Sequence, residues 1–110
     1  CHVALKCGHL ARTVLAGRRV VAIWGAGETG RAFAVALAAH GIAVALFIEV
    51  DARKIGRSLR GAPVISYSEA GRVRGLPLLV AVGAPGARQL IRAELARQGF
   101  AELRDYWCVA

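Results

Sequence analysis

The fold of this chain is decided by one stretch, Val20-Val21-Ala22-Ile23-Trp24-Gly25-Ala26-Gly27-Glu28-Thr29-Gly30. Its first five residues are wholly apolar, and Val20, Val21 and Ile23 are β-branched. Such a run predicts a strand buried on both faces, as in parallel sheets. Three glycines follow at Gly25-x-Gly27-x-x-Gly30. The first permits a tight turn out of the strand, the second lets a phosphate approach the backbone, and the third lets a helix pack on the strand. Residues 31–40 then read as that helix, rich in Ala and apolar nearly all round, with Gly41 as its C-cap. A helix start offers free N–H groups and the positive end of a dipole to an anion. The glycine spacing is a weak signal alone; its place between an apolar strand and a helix gives it meaning.

The rest of the chain continues the alternation. Residues 42–50 read as a second strand with a continuous apolar centre, Val44-Ala45-Leu46-Phe47-Ile48. Residues 51–60 are polar and basic, broken by Gly56, and read as a loop or short helical turn. Ala62-Pro63-Val64-Ile65 is a short third strand, its Pro suited to an edge or strand entry. Ser66 or Ser68 caps a brief helix with Glu69 in its first turn. Residues 76–82 form a fourth strand, and Gly83-Ala84-Pro85-Gly86 a second tight turn. Residues 87–98 read as an amphipathic helix, with Leu90, Ile91 and Leu95 inward, Arg88, Arg92 and Glu94 mostly outward, and Gly99 as its stop. Tyr106-Trp107-Cys108-Val109 is the last strand. Ahead of all this, residues 2–16 read as a leading helix with Leu5, Leu10, Val14 and Leu15 on one broad face, interrupted at Gly8. The pattern predicts a Rossmann-like, three-layer α/β/α fold with a five-stranded parallel sheet in the order 3-2-1-4-5. It divides the chain into a leading helix, 1–18, and the Rossmann-like domain, 19–110.

Composition bounds the function. The 110 residues make one domain, about half of a full two-lobed dinucleotide-binding fold. A hydrophobic fraction of 56% against 20% charged excludes a disordered chain. No apolar run approaches the roughly 18 residues of a membrane span without a Gly or a charge. Cys1-His2-Val3-Ala4-Leu5-Lys6 has no signal-peptide layout. The chain begins with Cys and contains no Met, so the expectation is a piece of a longer polypeptide with a catalytic domain upstream. Three cysteines, Cys1, Cys7 and Cys108, make no disulfide framework and fit a reducing, cytoplasmic setting. The net charge of +8 comes almost wholly from Arg. Aromatic residues are not interleaved with these charges and no reader helix is evident, so nucleic acid is not expected as a partner.

The candidate ligand-binding residues gather in three places. Gly25, Ala26, Gly27, Thr29 and Gly30 form the first, where the Thr29 hydroxyl can donate to a phosphate and Glu28 would repel one unless turned away. Glu49 and Asp51, at the end of the second strand, can accept from ribose hydroxyls, or serve only as a solvated strand end. Arg53, within the basic run Arg53, Lys54, Arg57 and Arg60, can meet a further phosphate or simply be solvated. The third place is the second glycine turn, with Gly83 and Arg88, where the crevice of an open parallel sheet would lie. Arg88 can pair with phosphate or remain a surface residue. Cys1, His2, Cys7 and His9 match no zinc-binding spacing, and no metal is expected. No catalytic constellation is visible.

Three segments carry a family resemblance. They are residues 20–31, then Ile48-Glu49-Val50-Asp51-Ala52-Arg53-Lys54-Ile55-Gly56, then Gly61-Ala62-Pro63-Val64-Ile65-Ser66. Over about residues 19–110 the chain resembles Rossmann-like modules attached to bacterial sugar-modifying transferases. These include the N-terminal domains of sialic-acid and bacillosamine acyltransferases and C-terminal modules of family-2 glycosyltransferases. Ala81-Val82-Gly83-Ala84-Pro85-Gly86-Ala87-Arg88 and Asp105-Tyr106-Trp107-Cys108 look most like the glycosyltransferase version. The resemblance implies a noncatalytic C-terminal domain that binds a nucleotide or nucleotide sugar at Gly25, Gly27 and Gly30, or acts as a docking module. The chain lacks the left-handed repeat domain that performs acyl transfer in the acyltransferases. Three further readings stand beside it: the NAD(P)-binding domain of an oxidoreductase, a coenzyme-A-binding module, and an interaction domain that forms a homodimer through the helix at 31–40.

Overall fold

In a computed structural model, residues 2–110 are described, and Cys1, with its part in the N-terminal Cys/His set, lies outside them. The elements run α1 (His2–Arg12), β1 (Val20–Trp24), α2 (Glu28–Ala38), β2 (Ala43–Glu49), β3 (Ser58–Leu59) and β4 (Ala62–Ser66). A 3-10 segment (Tyr67–Val73), β5 (Leu78–Val80), α3 (Ala87–Arg97) and β6 (Tyr106–Cys108) complete the chain. The sheet order is β3-β4-β2-β1-β5-β6. All neighbours are parallel except β3 and β4, which pair antiparallel.

The expected 3-2-1-4-5 sheet is therefore present, extended by one short edge strand that the sequence reading placed in a loop. The cause is local. Arg60 and Gly61 both take positive φ, 51° and 80°, between the paired residues Leu59 and Ala62. Two successive left-handed residues make the tight turn whose twist suits a hairpin. An Arg in that position gave no turn signal.

Alternate residues of each strand feed two cores, one per face. Val21 and Ile23 of β1 pack with Phe33, Ala34 and Leu37 of α2, Phe47 of β2 and Leu79 of β5. Ala22 and Trp24 point to the other face, among Leu46, Ile48, Val73, Val80, Ile91 and Leu95. Side chains of this size each contribute about 1.5–3 kcal/mol on full burial. Helices α1 and α2 lie on the first face, the 3-10 segment and α3 on the second, giving the three layers.

Several local expectations are corrected. Helix α1 stops at Arg12, and its inward residues are Cys7 and Gly8, joined by Leu15 from the following turns; Leu5 is 74% exposed and Val14 lies at the surface. Gly8 does not interrupt the helix, because its bare Cα is buried beside the side chains of Arg12 and His40. In β2, Ala45 bulges out of register with β1 and is exposed, so the apolar centre is not buried throughout. In α3, Ile91 and Leu95 form the buried i, i+4 pair, whereas Leu90, about 100° round the helix, is 74% exposed. Cys108, expected in the core, is only partly buried. Elsewhere the local chemistry acts as expected: the Ser66 side chain accepts from the Ser68 amide, and Gly41 and Gly99 take φ of 72° and 87° beyond their helices.

Candidate functional site

Strand β1 is the centre of the sheet, with β2 on one side and β5 on the other. The chain leaves β1 toward β2 and later returns to β5, so the loops after β1 and β5 diverge over the strands' carboxyl ends. Brackets of hydrogen bonds hold this divide: the Gly25 amide donates to Ile48 O at 2.8 Å, and the Ala81 amide donates to Trp24 O at 2.9 Å. A cleft of about 530 Å³ opens there. It is the place where open α/β sheets receive ligands.

The floor of the cleft is the glycine turn. Gly25 has φ 122°, a conformation L side chains avoid, and a Cβ on it would stand 2.9 Å from Ala81 O. A Cβ on Gly30 would fall 1.8 Å from Gly25 O. These two glycines let α2 start directly against β1. Gly27 differs: its φ is −91°, and only the Lys54 Nζ, at 3.4 Å, would meet a side chain there. Gly27 thus leaves open space rather than relieving backbone crowding. It is also the N-cap of α2, and no side chain caps the helix. The leading N–H groups of α2 have no intrahelical acceptor and face outward at this end.

The second wall is made by β2. Glu49 is largely buried. Its Oε1 accepts from the Ala26 amide at 3.0 Å, and its Oε2 accepts from the amides of Val50 and Asp51 at 2.8 and 3.0 Å. One carboxylate therefore pins the glycine turn to the end of β2. It still borders the cleft, and two oxygens with about four lone-pair directions retain acceptor capacity after three bonds.

The expected site residues divide accordingly. Gly25, Gly27, Thr29, Gly30, Glu49 and Gly83 all line the cleft, as does Glu28. Ala26 contributes its amide to Glu49, while its side chain packs toward the α1 and α2 face. Asp51 and Arg53 do not line it. They bind each other: Arg53 Nε and Nη2 donate to the Asp51 carboxylate at 3.1 and 3.0 Å, and the Arg53 amide donates at 2.9 Å. These hydrogen bonds hold the Asp51 carboxyl down at about 2. Arg88 is also absent from the lining, because it sits on the side of α3 whose charges act on Glu102 and Cys108.

Ala84 and Ala87 line the cleft from the second glycine turn, where the sequence placed the crevice, but sequence reasoning missed the apolar wall formed by Trp24, Ala81, Val82, Leu90 and Ile91. Those five read as core or inward-facing residues, and Leu90 is instead exposed at the rim. It also left Lys54 undistinguished within a basic run. Among the described residues, no group of three or more His, Cys, Asp or Glu comes together to hold a metal ion, and no helix is long and apolar enough to cross a membrane.

No protein-family model matches the chain, and no curated protein matches it. Solved structures do. The chain is similar to RSP, a Rex-family repressor, with a TM-score of 0.65 at 18% identity over 92% of this chain and 50% of that one. It matches RSP in complex with β-NADH with a TM-score of 0.61 at 17% identity, covering 92% and 50%. For RSP in complex with β-NAD+ and operator DNA the TM-score is 0.64 at 18% identity, covering 92% and 48%. The chain spans about half the length of these structures. Because the last of them contains operator DNA, the exclusion of nucleic acid drawn from the sequence gains no support here. At this level of identity the similarity establishes the fold: the described chain is a Rossmann-like α/β domain.

Proposed function

We propose that this chain is a binding module for a dinucleotide of the NAD(H) type, held over Gly25–Gly30, and that it does not itself carry out chemistry on that ligand. The observation that carries the reading is the cleft at the divide between β1 and β5, floored by a glycine turn in which the bare Cα of Gly27 leaves room for a phosphate. The neighbours of the same fold that hold NADH and NAD+ support this choice of ligand.

The residues present fit such a group. The open face of Gly27, the start of α2 and the Thr29 hydroxyl would hold the pyrophosphate. Glu49 would accept from the hydroxyls of a ribose, with Val50 beside it. The rest of the ligand would lie along the apolar wall from Ala81 to Ala84 and against Leu90 and Ile91. When bound, the nicotinamide supplies a hydride acceptor or donor; the lining on that side offers no ionisable side chain for proton transfer among the described residues. This is the reason to read a binding module rather than a dehydrogenase.

The nucleotide-sugar reading uses the same glycine floor, and it rests on the sequence resemblance alone. So does attachment to a glycosyltransferase. The homodimer reading concerns the outward side of α2, where Val35 is 49% exposed beside Ala32, and it rests on the sequence alone.

Thermal unfolding with NADH, NADPH, coenzyme A and UDP-sugars tests the assignment. Saturation at about 100 times the dissociation constant contributes about 2.7 kcal/mol. In a domain of this size that is a rise in Tm on the order of 10 °C. NADH is expected to give it. A rise with UDP-sugars and none with NADH would replace this reading with the nucleotide-sugar one. No rise with any ligand would leave an interaction domain.

A further inference from the structure

We infer that Lys54 is the residue that recognises the ligand's phosphate charge, closing over the glycine turn from the loop after β2. The inference rests on the binding reading above and adds the side chain that would discriminate a charged diphosphate from an uncharged nucleoside.

The position of Lys54 is built rather than incidental. Its amide donates to Asp51 O at 2.9 Å, and the next amide, of Ile55, donates to the same oxygen at 3.2 Å. Gly56 then donates to Val64 O at 2.8 Å, and Val64 donates to Arg57 O at 2.9 Å, stapling the loop to β4. Upstream, Glu49 and the Asp51 side chain take up the amides of Val50, Asp51 and Arg53. The backbone on either side of Lys54 is thus fixed, and the residue is partly buried.

From that base the Lys54 side chain lines the cleft, and its ammonium is the nearest side-chain atom to the open face of Gly27. The neighbouring charges explain why it is free to act. Asp51, the closest carboxylate in sequence, is taken by Arg53 in a two-pronged pair. Glu49 is engaged by three amides. The Lys54 ammonium makes no hydrogen bond or ion pair among the described residues, whereas the Arg53 side chain, of the same loop, is 89% exposed and already paired. Glu28 also borders the cleft, and a cation opposite it offsets the repulsion a phosphate would meet there. Of the cleft-lining side chains among the described residues, Lys54 alone carries positive charge.

The test compares Lys54→Gln and Lys54→Arg with the unsubstituted chain, following binding of NADH, ADP-ribose and adenosine by calorimetry at several salt concentrations. Arg18→Gln, at the far end of β1, controls for the loss of one positive charge. Lys54→Gln is expected to weaken NADH and ADP-ribose roughly tenfold or more, the effect of one charged hydrogen bond. Adenosine should be unchanged, Lys54→Arg should restore most of the affinity, and the salt dependence should flatten in Lys54→Gln but not in Arg18→Gln. If the unsubstituted chain binds NADH and Lys54→Gln binds it within twofold as tightly, the role of Lys54 is overturned while the binding reading stands. If the unsubstituted chain binds neither NADH nor ADP-ribose, the binding reading itself fails and takes the Lys54 assignment with it. Unfolding midpoints within about 2 °C of one another for all three variants, expected for side chains at the surface, separate these outcomes from misfolding.

Discussion

The Oε1 atom of Glu49 accepts a hydrogen bond from the Ala26 amide at 3.0 Å, so the last residue of β2 holds the glycine-rich turn that follows β1. With Oε2 on the amides of Val50 and Asp51, one side chain satisfies three backbone donors. Glu49→Ala leaves them without that acceptor, and unmet donors of this kind cost about 1–3 kcal/mol where water cannot replace the partner. We expect a loss of about 2–3 kcal/mol in urea unfolding, and a smaller loss, about 1 kcal/mol, for Glu49→Gln. A loss below about 0.5 kcal/mol for Glu49→Ala would show that the turn holds its shape unaided.

Two glycines of the turn, Gly27 and Gly30, should respond differently to substitution from each other and from Gly71 of the 3-10 segment. A Cβ on Gly30 collides with backbone at 1.8 Å, and neither α2 nor β1 can yield without disturbing the core packed between them. Gly30→Ala should cost more than about 3 kcal/mol, in the upper range for single substitutions. Gly71→Ala meets nothing within 4 Å and should fall within about 0.5 kcal/mol of the original. Gly27→Glu should keep the fold, since only the flexible tip of Lys54 lies near, and should abolish dinucleotide binding by filling the cleft with a carboxylate. Retained NADH binding in Gly27→Glu would place the ligand elsewhere.

Acid should destabilise the domain through its exposed ion pairs. Hydrogen bonds from Arg53 bring Asp51 down to about 2, and the guanidiniums of Arg97, Arg92 and Arg104 lower Glu94, Glu102 and Asp105. Each of these carboxylates titrates lower in the folded chain than in the unfolded one, where the values are about 3.9 for Asp and 4.3 for Glu. Their contribution is therefore complete above the unfolded values and is lost as pH falls through the folded ones. Urea midpoints should decline from about pH 5 toward pH 2, less steeply in 1 M salt because the pairs are exposed. Asp51→Asn should flatten the lowest part of the curve. A midpoint constant across that range would remove the pairs from the stability of the fold.

Thiol chemistry gives a further check on packing. Burial raises both Cys7 and Cys108, so each is less thiolate at neutral pH than a free cysteine. Cys7 is fully buried and its Sγ lies 3.9 Å from Phe33 O, beneath α2. In a Cys1→Ser chain, Cys108 should react slowly with a disulfide reagent and Cys7 only on unfolding, at the rate measured independently by circular dichroism. Two thiols reacting at once in native buffer would contradict the seating of α1.

The order of the five parallel strands and the glycine turn were legible because each rests on a short-range rule: unbroken apolar runs for β1 and β5, and glycines wherever a Cβ would strike backbone. What escaped was decided by orientation and by competition among neighbours. Leu90 carries the same hydrophobic label as Ile91, yet one turn angle separates a cleft rim from a core. Asp51 and Arg53 have the chemistry of a ligand site, but two residues of separation let them satisfy each other. The hairpin at Arg60 and Gly61 was hidden because an Arg rarely marks a left-handed turn. Lys54 stood among four cations with nothing in the spacing to single it out; only the fixed loop and the bare Cα of Gly27 do so.

The short hairpin has a consequence for how copies of the domain meet one another. One margin of the sheet ends in the two residues Ser58 and Leu59, and the opposite margin in the three residues Tyr106, Trp107 and Cys108. The central strands, β1 and β2, are enclosed on both sides. A neighbouring chain seeking to add a strand finds a template too brief to hold it. The same turn that adds a sixth strand thus keeps an Ala- and Val-rich sheet from growing past its own borders.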